Sequence, residues 1–135
     1  MNTKLVKEYM TVATQLIKFR PETDIFFAID TLINRTISGA PVVNDKGDLV
    51  GILSEKDCLK VLIDMSMHEL PGATVEQYMS KEAVTLNATT SIMDAVELFQ
   101  KNVFRRFPVV EGAKLVGLLT RRDILRAVKD IRDRK

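Results

Sequence analysis

Leu49-Val50-Gly51-Ile52-Leu53-Ser54-Glu55-Lys56-Asp57 returns 66 residues later as Leu115-Val116-Gly117-Leu118-Leu119-Thr120-Arg121-Arg122-Asp123. In both copies an apolar run stops at a hydroxyl residue that is followed three positions later by aspartate. The run reads as a β-strand. Ser/Thr-x-x-Asp reads as a helix start, because the hydroxyl accepts from the third helical amide while the acid answers the amide of the hydroxyl residue. The chain therefore makes the same strand-to-helix junction twice.

The likeness extends upstream of both junctions. Ala40-Pro41-Val42-Val43 matches Phe107-Pro108-Val109-Val110, and Asp24-Ile25-Phe26-Phe27-Ala28 matches Ser91-Ile92-Met93-Asp94-Ala95, both at an offset of 67. Tyr9-Met10-Thr11 matches Tyr78-Met79-Ser80 at 69, so the small slips fall in loops. Each repeat is predicted to begin with a short strand, over residues 15–19 and 83–86. A helix follows, with Ile25, Ala28, Ile29, Leu32 and Ile33, or Ile92, Ala95, Val96 and Phe99, at helical spacing. A hairpin then turns through Asn44-Asp45-Lys46-Gly47-Asp48, or Glu111-Gly112. The closing helix carries its apolar side on Leu59, Leu62 and Ile63, and later on Ile124, Leu125, Val128 and Ile131. The order is β-α-β-β-α, twice, with Pro71-Gly72 breaking the connector.

A repeat of this length buries too small a share of its surface to stand comfortably alone, so two are expected to pack through their sheets and enclose a cleft. The 135 residues are 46% hydrophobic and 28% charged, an ordinary globular composition. The apolar runs fall far short of the roughly 18 to 20 residues a membrane helix needs, and no signal peptide is expected, so a cytoplasmic setting without membrane contact is the default. The formal charge is +2, but residues 101–135 carry 11 basic and 4 acidic side chains. A polyanion at the C-terminal part would use that excess; a solvated basic helix explains it equally. Cys58, the one cysteine, reads as a small hydrophobe. A P-loop, a Gly-x-Ser-x-Gly elbow and a Cys-x-x-Cys pair are all missing, and His68 stands without clustered metal ligands, so neither catalysis nor a metal is expected.

Two copies of Gly-x-x-Ser/Thr-x-x-Asp, a Pro-Val-Val strand before each, and a Tyr-Met-Thr/Ser opening make the chain resemble the tandem cystathionine-β-synthase-type (CBS) domain pair over about residues 6–128. The resemblance implies an α+β fold of two β-α-β-β-α CBS repeats, residues 1–70 and 71–135, related by pseudo-twofold symmetry as a stand-alone Bateman-type module. It further implies a regulatory adenine-nucleotide sensor, not an enzyme, that takes AMP, ADP, ATP or a related adenosine ligand and requires no cofactor. A homodimer is implied too, through the helix faces at residues 25–33, 92–99 and 61–67, as is a regulated partner protein of unknown identity.

By the same resemblance, Asp57 and Asp123 accept hydrogen bonds from the ribose hydroxyls, while Ser54, Thr120 and the helix amides face phosphate. Leu16, Ile17, Ala83 and Val84 hold the adenine, and Gly39, Ala40, Pro41, Phe107 and Pro108 complete the pockets. Arg105 and Arg106 grip phosphate with help from Lys56, Arg121 and Arg122. The first repeat has Ser38 and Gly39 where the second has that arginine pair, so the second is expected to be the tighter site, its phosphates bridging to the opposite half. Each assignment has a plainer counterpart: helix capping for the Ser/Thr-x-x-Asp residues, core packing for the apolar ones, solvated charge for the basic ones. On those plainer terms the chain is a ligand-free dimerisation or protein-interaction module. Nucleic-acid binding by the basic stretch is the lesser alternative, with affinity that falls steeply with salt.

Overall fold

The computed structural model describes residues 4–134 and contains α-helices and β-strands in the expected alternation. The chain forms two compact units, Ile17–Ala83 and residues 4–16 with 84–134. Among the described residues no helix is long and apolar enough to cross a membrane.

In the first unit α1 (Ile25–Arg35) is capped by the Asp24 carboxylate on the Phe27 amide and buries Ile25, Ala28 and Leu32. It ends at Thr36, whose left-handed φ of 55° closes the helix. The hairpin β2 (Gly39–Val43) and β3 (Leu49–Ser54) is antiparallel. Its turn is held by the Asn44 side chain, which accepts from the Lys46 and Asp48 amides, while Gly47 supplies a φ of 82°. α2 (Glu55–Met67) follows directly and buries Val61 in the same core.

The second unit repeats this with α3 (Ile92–Lys101), the hairpin β5 (Arg106–Glu111) and β6 (Lys114–Thr120), and α4 (Arg121–Asp133). Its sheet has four strands, in the order β1 (Thr11–Val12), β6, β5, β4 (Leu86–Asn87). β4 lies parallel to β5 and the other pairs are antiparallel. The first unit has the same order, with single bridges in place of the outer strands: Ser80 on Ile52 and Phe19 on Val42. These registers reproduce the offsets read from the sequence, Thr11↔Leu118 answering Ser80↔Ile52 and Leu86↔Val109 answering Phe19↔Val42.

The compact units do not coincide with the sequence repeats. The opening segment of each repeat is built into the unit formed by the other. Val6 is fully buried in the core around Leu86, Ile92 and Phe107, and Val75 is fully buried in the core around Phe19, Ile25 and Leu53. The same three backbone bonds tie each segment down. They run from Val6 to Thr90, Lys7 to Ala88 and Ile92 to Lys4 in one unit, and from Val75 to Thr23, Glu76 to Pro21 and Ile25 to Ala73 in the other.

Two element-level expectations need correction. Residues 15–19 and 83–86 do not form regular strands: Ala13–Gln15 is a 3₁₀ turn, Phe19 makes a lone parallel bridge, and only Leu86–Asn87 pairs in the second unit. Pro21 and the Asn87–Thr90 turn follow closely and end the pairing. The apolar sides expected of the closing helices are also turned, wholly in α2 and in part in α4, where Ile124 still packs against the core and Ile131 is half-buried. Leu59, Leu62 and Ile63 are exposed at 67%, 72% and 60%, as are Leu125 and Val128 at 65% and 57%. The buried positions are Val61, and Asp123 with Ala127, whose smaller side chains let the helix axis approach the sheet.

Candidate functional site

The hairpin register decides what lies beside each helix start. Gly39 pairs with Ser54 and Ala40 with Leu53; in the second unit Arg106 pairs with Thr120 and Phe107 with Leu119. The first residues of the incoming strand thus sit next to the hydroxyl that opens the helix. The bond continues one residue further, from the Glu55 amide to the Ser38 carbonyl at 2.9 Å and from the Arg121 amide to the Arg105 carbonyl at 3.3 Å.

Both capping boxes form. The Ser54 hydroxyl accepts from the Asp57 amide at 3.2 Å, and Asp57 Oδ2 accepts from the Ser54 amide at 2.9 Å. Thr120 and Asp123 do the same at 3.3 and 2.8 Å. With the Glu55 and Arg121 amides already given to the strand carbonyls, three of the four amides that each helix start leaves open are satisfied. The two carboxylates differ in their second oxygen. Asp57 is half-buried, and its Oδ1 accepts from the Ser80 hydroxyl at 3.1 Å. Asp123 is 2% exposed, and its Oδ1 takes the guanidinium of Arg126 one turn on. Lys60, the counterpart of Arg126, is exposed and forms no ion pair with Asp57 among the described residues.

The first unit thus brings Ser54, Lys56 and Asp57 together with Gly39, Ala40 and Pro41, and Ile17 and Ala83 belong to the same unit. The second gathers Thr120, Arg121, Arg122 and Asp123 with Arg105, Arg106, Phe107 and Pro108, and includes Leu16 and Val84. Gly39, Ala40, Pro41, Phe107 and Pro108 are buried, and Ala40 and Phe107 belong to the cores; the Phe107 ring lies tilted against Phe99 at 4.6 Å between ring centres. Leu16, Ile17 and Ala83 are half-buried and Val84 is exposed. Lys56, Arg105, Arg121 and Arg122 are exposed and Arg106 is half-buried. The Arg121 guanidinium donates to the carbonyls of Val103 and Phe104, each at 3.4 Å, which ties it to the loop before β5.

Other polar features escaped the sequence reading. The Tyr78 hydroxyl donates to Asp64 at 2.5 Å and the Tyr9 hydroxyl to Asp130 at 3.0 Å, so each opening segment is latched to the closing helix of its unit. The signal was available, since Asp64 and Asp130 stand 66 residues apart, the offset of the Ser54/Thr120 pair. The hydrogen bond to Asp64, with some burial, pushes the Tyr78 phenol up to about 12. Tyr9 is raised too, by burial first and then by Asp130. Burial, then the charges of Asp57 and Glu55, push the Cys58 thiol up to about 11, consistent with its packing against the core. An open pocket of about 340 Å³, lined in part by Asp64, His68, Glu69 and Tyr78, lies toward the far end of α2. By helical rise His68 is about 16 Å from Asp57, so this pocket contains none of the motif residues.

These features define a class: a tandem α+β protein whose two units each present a hydroxyl and a carboxylate at the start of a helix beside a sheet edge. The CBS domain profile matches residues 6–64 and 75–130, and the chain belongs to the CBS domain family. It is similar to CBSX2 of Arabidopsis thaliana, whose crystal structure has a TM-score of 0.84 at 29% identity over 98% of this chain and 99% of that one. A CBSX2 structure in complex with AMP gives 0.83 at 30% identity over 96% and 98%. The CBS domain pair of protein MJ0100, in complex with 5'-methylthioadenosine and S-adenosyl-L-methionine, gives 0.76 at 25% identity over 96% and 98%. Several curated relatives are much longer. The matched region spans 39% of the uncharacterized protein MJ1225 of Methanocaldococcus jannaschii, at 29% identity over 82% of this chain. It spans 12% of the A-adding tRNA nucleotidyltransferase of Aquifex aeolicus, at 37% identity over 76% of this chain.

Proposed function

We propose that this chain is a non-catalytic, cytoplasmic regulatory module that binds an adenosine nucleotide, AMP or a relative such as ADP, ATP or S-adenosylmethionine, and passes occupancy to a partner through its conformation or dimer state. The observation that carries this reading is the twice-built helix start, with its Ser/Thr hydroxyl, its aspartate and the adjoining strand residues held in register. Support comes from CBSX2, a relative over nearly the whole chain that is described in complex with AMP. Chemically, the second carboxylate oxygen suits a ribose hydroxyl, the helix start suits phosphate, and Arg105 with Arg106 adds charge where phosphates would extend. Leu16, Ile17, Ala83 and Val84 are the proposed adenine contacts, largely through their backbone. Signalling requires that the ligand prefer one of two conformations, because equal affinity shifts neither.

The test is thermal unfolding with AMP, ADP, ATP, S-adenosylmethionine and CMP at fixed salt and protein concentration. Ligand at a hundredfold its dissociation constant stabilises the fold by about 2.7 kcal/mol. Adenosine compounds are expected to raise the midpoint, and Arg105→Ala/Arg106→Ala to reduce the rise most for ATP. No rise with any adenosine compound, or an equal rise with CMP, contradicts the reading.

The exposed apolar residues of α2, Leu59, Leu62, Ile63 and Met67, support a second reading in which self-association or docking is the function with or without a ligand. Sedimentation of wild type against Leu62→Glu separates the two: a dimer that Leu62→Glu dissociates, together with ligand-independent stability, favours the interaction module.

A further inference from the structure

We propose that Arg126 is a built-in occupant of the ligand position at Asp123, so that nucleotide binds first at Asp57 and reaches Asp123 only by displacing that guanidinium. The inference rests on the nucleotide reading above and refines it by ranking the two sites. The arginine pair at 105 and 106 had pointed to the second unit as the tighter site; the contacts of the two carboxylates point to the first. Both aspartates spend Oδ2 on the capping amide, which leaves Oδ1 as the oxygen that can meet a ribose hydroxyl. At Asp57 that oxygen accepts from Ser80, a neutral hydroxyl. Replacing one O–H donor by another is close to an even exchange. At Asp123 it holds Arg126 in a charge-assisted bond, roughly twice as strong as a neutral one.

Burial reinforces the difference. Asp123 is 2% exposed, and a charge so placed is costly without a cation, so Arg126 is retained until a ligand supplies equivalent hydrogen bonds. The repeat supplies an internal control. Position 60 holds Lys60, exposed and without an ion pair to Asp57, so among the described residues the plug is seen in the second unit and not in the first. Arg126 is itself 55% exposed, so water screens the pair in part, and the difference from a neutral bond corresponds to an affinity ratio of roughly three- to tenfold between the two sites.

Isothermal titration of AMP into the full chain tests this, using wild type, Asp57→Asn, Asp123→Asn, Arg126→Gln, Asp57→Asn/Arg126→Gln and that pair with Asp123→Asn added. Circular dichroism verifies the fold of each. The expected result is one tighter event in wild type, weakened severalfold by Asp57→Asn and hardly by Asp123→Asn. Adding Arg126→Gln to Asp57→Asn recovers tight binding, and Asp123→Asn removes it again. If Asp123→Asn weakens wild type more than Asp57→Asn does, or if Arg126→Gln recovers nothing, the ranking is overturned while nucleotide binding stands. If neither wild type nor any variant binds AMP, the nucleotide reading falls and the ranking with it. Where Arg126→Gln fails to fold, Arg126→Lys is substituted, with partial recovery expected because an ammonium lacks the guanidinium fork. The Arg126 Nε resonance in wild type gives an independent readout: it moves only in a second, weaker step, and movement in the first step contradicts the proposal.

Discussion

Cys58 follows Asp57 in the first turn of α2 and packs against the core, and both facts bear on its chemistry. Its thiol holds its proton to about pH 11 in the folded chain, whereas an unfolded thiol releases it near 8.5. The folded state binds this proton more tightly, so the stabilisation is complete below about pH 8.5 and disappears as pH rises toward 11. Tyr78 acts in the same direction over a higher window, from pH 10 to about 12. The urea midpoint is therefore predicted to fall progressively above pH 8.5, and Cys58→Ala to flatten the lower part of that fall. Native-state labelling with a thiol reagent at pH 8 is predicted to be far slower than that of a free thiol; labelling at the free-thiol rate contradicts the assignment. At this scale the caps were legible in the sequence, because Ser/Thr-x-x-Asp is a local pattern that fixes both partners. What occupies the second carboxylate oxygen was not, because Ser80 reaches Asp57 across 23 positions and Arg126 reaches Asp123 from the next turn of its helix.

Among the elements, β3 and β6 each carry a glycine at the point where an opening segment crosses. A Cβ on Gly51 would lie 2.7 Å from Met79 Sδ and 2.9 Å from the Ser80 carbonyl oxygen. One on Gly117 would lie 2.5 Å from Met10 Sδ and 2.8 Å from the Thr11 carbonyl oxygen. The methionine can swing away but the carbonyl belongs to paired backbone, so the space must stay empty. Gly51→Ala is predicted to destabilise the chain by about 1 to 3 kcal/mol in urea unfolding, and Met79→Ala in the same chain to recover only part of the loss. Full recovery would show that the side chain alone sets the constraint. The hairpins, α1 and α3 were readable from turn residues and helical spacing. The outer strands were not, because a single bridge at Phe19 leaves almost no periodic signal. The orientation of α2 and α4 was hidden for another reason: Leu59, Leu62, Ile63, Leu125 and Val128 point outward, and the smaller Val61 and Ala127 are the buried positions.

For the whole molecule, the sequence repeat predicts the order of elements but not which residues share a core. Residues 1–70 contain one complete repeat yet lack Val75, Tyr78 and Met79, which help complete the core of the first unit. The segment Ile17–Ala83 contains them. The 17–83 fragment, marginal on its own, is therefore predicted to keep more amide dispersion and a higher urea midpoint than the 1–70 fragment, which lacks part of that core. A folded 1–70 fragment would show that the opening segment of the second repeat is dispensable to that core. The exchange was invisible in the alignment because matching two repeats to each other says nothing about which unit each segment joins. The central claim, that the twice-built helix start serves an adenosine nucleotide, is tested most directly by isothermal titration of the full chain with AMP, with CMP in parallel at the same salt. The account predicts saturable heat with AMP, lost with Asp57→Asn/Asp123→Asn, and none with CMP; absent AMP heat in a folded protein, or equal heat from CMP, contradicts it.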